Sequence, residues 1–127
     1  MLDFWIMLVK DYRNCREIRG IDNAIIRELL KPSRDNIDIG YSLALANVKP
    51  KETTYLHRVK NSEVYYILEG EGEMYIDDEV EKVSEGQAIY IPPNSAQKIK
   101  NIGKRDLIFL CIVYPPWKPE DEEIVEE

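Results

Sequence analysis

HRVKNSEVYYILEG (57–70) is the stretch whose reading decides the fold of this 127-residue chain. It holds the only histidine, His57, then Glu63, and closes on Gly70. Within it, EVYYIL (63–68) carries two tyrosines and two β-branched residues in six, a strong strand signal. Just upstream, residues 53–59 are rich in β-formers. Side chains repeat every second residue along a strand, so Tyr55, His57 and Val59 share one face. Asn61 and Ser62 make the turn between the two segments.

The same pattern continues outward. Strands are expected over 37–48, 73–76, 79–83, 87–91, 95–101 and 106–114, separated by turns containing Gly72, Asp77-Asp78, Gly86, Pro92-Pro93-Asn94 and Gly103. Residues 106–114 are apolar on both faces and should be buried on both sides. AIIRELL (24–30) reads as a short strand, with a helical turn as the alternative. FWIMLV (4–9) is a buried strand, a short helix or an arm packed on a second subunit; periodicity does not choose. The tail PEDEEIVEE is acidic and expected to be mobile. Many short strands at such spacing predict an all-β sandwich or barrel.

Composition narrows the function classes. One domain is the simplest reading of this length, and 44% apolar with 32% charged residues is a globular composition. A net charge of −7, with lysines and arginines scattered among acids, argues against a nucleic-acid surface. No run approaches the roughly 18 apolar residues of a spanning helix, and the N-terminus lacks the features of a signal peptide. Cys15 and Cys111 have no framework spacing, so reduced thiols and a cytoplasmic location are expected. Abundant Lys, Glu, Ile and Tyr with only two glutamines is compatible with a thermophilic source.

The turns and polar residues together resemble those of the cupins, small double-stranded β-helix or jelly-roll barrels. In the first cupin motif His57 stands at the first histidine, Val59 at the second, Glu63 at the carboxylate and Gly70 at the closing glycine. In the second motif Gly86, Pro92 and Asn101 match, while Asn94 replaces a glycine and Gln97 a histidine. The resemblance implies an all-β cupin barrel over 37–116, an N-terminal extension over 1–36 packed on the barrel or on a partner, and an acidic tail over 117–127. It is similar to the small single-domain, phosphomannose-isomerase-like group.

Cupins typically hold a divalent metal with three histidines and a glutamate. Here the resemblance implies His57, Glu63 and Gln97 as metal ligands for zinc, manganese, nickel or iron, at reduced affinity. Valine cannot ligate, and a single histidine forms neither a three-histidine site nor a two-histidine, one-carboxylate site within one chain. Parity supports the convergence: Gln97, Ile99 and Asn101 share one face, with Lys98 and Lys100 on the other, toward water. Gln97 marks a changed ligand, a direct substrate contact or a lost metal. An inward Glu63 has to be paired, ligated or protonated; the bland alternative places it at a wet strand mouth. Tyr55 and Tyr65 share the parity of His57 and Glu63, as substrate contacts or as wall residues. Cys111 reads as core, and Trp5 and Trp117 as packing or interface residues.

The expected function is a metal-assisted enzyme, isomerase-like or dioxygenase-like, acting on a small oxygenated metabolite such as a sugar phosphate. His57 and Glu63 are the catalytic candidates, and Tyr55, Tyr65 and Gln97 the substrate contacts. The alternative is a metal-free small-molecule binding or sensing module. A homodimer is expected, with no nucleic-acid or membrane partner.

Overall fold

A computed structural model describes residues 7–127. Residues 4–6 of the FWIMLV run, Trp5 among them, lie outside the described residues. Among the described residues eleven strands run in order: β1 (Glu17–Arg19), β2 (Ile25–Leu30), β3 (Ser42–Val48), β4 (Leu56–Val59), β5 (Ser62–Glu69), β6 (Glu71–Ile76), β7 (Glu79–Ser84), β8 (Ala88–Ile91), β9 (Ala96–Asn101), β10 (Leu107–Tyr114) and β11 (Glu122–Glu126). One four-residue helix, α1 (Pro32–Asp35), starts at the proline and stops at Asn36 in the left-handed region. The strands form two antiparallel sheets, one ordered β1-β2-β3-β10-β5-β8 and the other β11-β4-β9-β6-β7. This is the expected all-β jelly-roll barrel.

The alternation in 63–68 sets which side chains enter. Glu63, Tyr65 and Ile67 of β5 are buried, and Tyr66 and Leu68, of the opposite parity, are exposed. Register divides the interior into two ends. At one, Phe109 pairs with Ile67 and Leu107 with Val48. Ile67, Ile99, Leu107 and Phe109 pack there, each no more than 1% exposed. At the other, Val113 lies opposite Glu63 and His57 opposite Gln97, so polar side chains gather. Tyr65 and Phe109, with ring centroids 4.5 Å apart, mark the boundary. Gly70 turns β5 into β6 with φ +91°, and a Cβ there would meet Asp106 O at 2.7 Å, so this corner requires glycine. Asn94, where the cupin motif has glycine, keeps the left-handed backbone at φ 64°.

The strand expected over 24–30 forms as β2 and is integral to the first sheet: β2 pairs with β3, and β1 with β2, so much of the N-terminal segment widens the barrel wall. One expectation changes. The acidic tail, expected to be mobile, forms β11 and pairs with β4, placing Glu122 opposite Val59 and Ile124 opposite His57. Edge pairing supplies the backbone hydrogen bonds, and half-buried Ile124 gives the strand an inward side.

Candidate metal centre

His57 comes from β4 and is 2% exposed. Its Nδ1 lies 2.7 Å from Tyr55 O. A carbonyl oxygen only accepts, so Nδ1 carries the proton and, in the neutral ring, Nε2 presents its lone pair. Nε2 points toward Asp22 Oδ2 at 3.6 Å and Glu122 Oε2 at 3.9 Å, both too long for hydrogen bonds. One ligand atom from each of the three residues lies within 4.8 Å of the other two. Bonds of about 2.0–2.3 Å to a shared ion separate its ligand atoms by roughly 3–4.5 Å. The donor set therefore fits a divalent cation: two carboxylates and an imidazole lone pair face one point, and such a cluster is relieved by a cation or a proton.

Each member is held from behind. Asp22 sits in the turn between β1 and β2, where its Oδ1 accepts from Ala24 N at 3.1 Å and Oδ2 is left for His57. Gly20 makes room, because a Cβ at that position would lie 2.9 Å from Asp22 Oδ1. Tyr55 N donates to Asp22 O at 2.8 Å, so the backbone of Tyr55 holds both Asp22 and His57. Glu122 Oε1 accepts from Trp117 Nε1 at 2.9 Å, leaving Oε2 to face His57. Such supporting hydrogen bonds orient metal ligands. Burial and the neighbouring charge of Asp22 raise the pKa of Glu122, opposed by His57 and the Trp117 hydrogen bond.

Glu63, Gln97 and Tyr65 form a buried chain beside the cluster. Gln97 Nε2 donates to Glu63 Oε1 at 2.7 Å, and Tyr65 OH donates to Gln97 Oε1 at 3.0 Å. The first bond ties the two sheets together, since Glu63 is on β5 and Gln97 on β9. Burial pushes Glu63 up to about 7, against the pull of the Gln97 hydrogen bond and of His57. Asp22 and Glu122 push in the same direction as burial. Burial also raises the Tyr65 hydroxyl and the Cys111 thiol well above their ordinary values, so neither is a ready nucleophile.

His57, Glu63 and Tyr65 line one cavity of about 190 Å³, together with Asp22, Glu122, Trp117 and Cys111. Gln97 is fully buried behind them. Tyr55 contributes its backbone, and its half-buried side chain is not on the cavity wall. Asp22 and Glu122 were not foreseen from the sequence. Asp22 reads as a turn residue in GIDN, and Glu122 as one acid among many, with no local signal that sets it apart.

Comparison with known proteins agrees with this architecture. Residues 44–113 match the family described as Cupin domain. An uncharacterized protein of Methanocaldococcus jannaschii is 50% identical over 108 residues, covering 83% of this chain and 84% of its own length. The structure of the polyketide cyclase RemF from Streptomyces resistomycificus superposes with a TM-score of 0.80 at 20% identity, over 96% of this chain and 87% of that one. A predicted oxalate decarboxylase from Thermotoga maritima gives a TM-score of 0.72 at 21% identity, over 85% and 99%. At such identities the structural likeness speaks for the fold alone. With the two-sheet barrel, both motif positions on its inner face and a family match spanning more than half its length, this chain belongs to the cupin family.

Proposed function

We propose that this cupin is a metal-assisted enzyme that moves a proton on a small oxygenated molecule, an isomerase-like reaction. The observation that supports it is the convergence of His57 Nε2, Asp22 Oδ2 and Glu122 Oε2 on one point in the cavity wall. Asp22, His57 and Glu122 would hold the ion; manganese, iron and zinc suit this oxygen-rich set. A bound divalent ion supplies polarisation of a substrate oxygen. The protein's own residues do the rest. Glu63 lies in the same cavity with Oε1 fixed by Gln97, so its Oε2 is the atom to take up and return a proton. Tyr65 anchors Gln97 and so fixes that carboxyl indirectly.

The test is metal analysis of the purified protein and of His57→Ala, before and after loading with manganese, iron or zinc. The reading expects one ion per chain in the parent and none in the variant. A parent that stays metal-free after loading would end it. Met7, Leu8 and Val9 are exposed in the single chain and support a second copy as their cover. Sedimentation should then give a dimer.

A further inference from the structure

Beyond the metal cluster and Glu63, the cavity wall is mostly apolar, with Ile26, Leu30, Leu43, Val59, Val113 and Trp117 among its residues. The remaining polar side chains are engaged. Tyr65 OH donates to Gln97, and Ser42 Oγ accepts from Trp117 N at 3.1 Å. At the rim Lys31 pairs with Glu28 at 3.5 Å, and Arg19 donates to Asn23 O at 2.9 Å. A polyol placed here would bury hydroxyls without partners, which a site of this kind rejects.

Charge excludes a second class. Asp22 and Glu122 already match a divalent ion, and Glu63 stands beside them as a third carboxyl. Among the described lining residues the cations are Lys31, paired with Glu28, and Arg19, which is exposed and donates to a backbone carbonyl, so no cluster of free cations faces an anionic head. Phosphate recognition requires a cradle of N–H donors or a cluster of arginines, and none lines the interior among the described residues.

We infer that the cavity takes an uncharged carbonyl compound with a short aliphatic body, of the α-hydroxyketone type, and rejects sugar phosphates and 2-oxo acids. The head's contact with an ion rests on the metal-assisted reading; the preference for the body rests on the wall alone. Adjacent hydroxyl and carbonyl oxygens suit the open positions that three protein ligands leave on an ion. A volume of about 190 Å³ admits only a small molecule.

The test is calorimetric titration of the full chain, loaded with manganese, by four probes. Acetoin and its dipropyl homologue butyroin differ only in the body. Ketoisocaproate has an anionic head, and ribose phosphate is a phosphorylated polyol. Butyroin should bind roughly tenfold or more tightly than acetoin, the direction set by added methylenes in an apolar pocket. It should also exceed ketoisocaproate and ribose phosphate by at least about tenfold. Leu43→Ser should shrink the ratio of butyroin to acetoin several-fold. Equal or tighter binding of either anion, no gain from the longer body, or no binding of any probe to manganese-loaded protein overturns the inference. Manganese is titrated first. If it does not bind, the metal-assisted reading fails separately. The same series on metal-free protein then decides the wall's preference: butyroin first supports it, and any other result overturns it.

Discussion

The barrel strands and the terminal segments deliver their side chains to the site in different ways. His57, Glu63 and Gln97 lie on strands with neighbours on both sides, and their register is fixed: His57 opposite Gln97, Glu63 opposite both Val113 and Ile91. Parity then decides that they point inward. Asp22 and Glu122 come from the margins, one through the turn joining β1 and β2, the other through the edge strand β11. The central residues form a closed chain in which Gln97 uses both ends of its amide on Glu63 and Tyr65. The marginal carboxylates each keep one oxygen free to face His57. A cupin motif with valine and glutamine at two usual histidine positions thus has carboxylates from segments outside the motif facing its one histidine.

That contrast can be broken most decisively at His57, which both groups share. His57→Ala should lower divalent-ion affinity by at least about 100-fold, to the point of no detectable heat in a titration, because the nitrogen donor has no replacement in the chain. Retained binding would leave the margins without the role given them here.

Glu63→Gln tests the central chain. Burial keeps the folded-state carboxyl protonated up to about 7, while the unfolded chain ionises near the usual 4.5. Between those values the folded state binds more protons, so stability of chelator-treated protein should fall as pH rises from about 4.5 to about 7 and level off above. The whole difference is worth at most roughly 3 kcal/mol. The Gln variant should lack this slope and be the more stable protein at alkaline pH. Urea unfolding across that range reads it, and parallel curves would contradict a buried, proton-holding Glu63.

The margins are probed more gently at Trp117. Trp117→Phe keeps the ring on the cavity wall and removes the hydrogen bond to Glu122 Oε1. Metal affinity should fall about 10-fold with the fold unchanged, as for other groups that orient ligands. The smallest effect belongs far from both regions. Arg105 and Glu85 form an exposed ion pair, and Arg105→Ala should change unfolding free energy by less than about 0.5 kcal/mol.

The same contrast explains what was legible in the sequence. The strand over 63–68 and the turns at Gly70, Gly86 and Pro92-Pro93 are local signals, and they carried the barrel and the inward face of β5 and β9. His57, Glu63, Tyr65 and Gln97 were found because period-two alternation is written in the residues themselves. Asp22 and Glu122 depend on where the chain's ends return. Pairing of β11 with β4 joins residues more than sixty positions apart, and a run of acids carries no mark of its partner. Tyr55 shows the reverse limit: parity placed its side chain with His57, yet its backbone, invisible to any pattern of side chains, is what positions the imidazole.

The central claim is that an ion sits among His57, Asp22 and Glu122. Crystals of the full chain grown with manganese and measured for anomalous scattering test it most directly. A single strong peak bonded to His57 Nε2, Asp22 Oδ2 and Glu122 Oε2 is expected, with Glu63 and Gln97 still joined to each other. A peak bonded to Glu63 and Gln97 instead, or no ordered ion in the cavity, would contradict it.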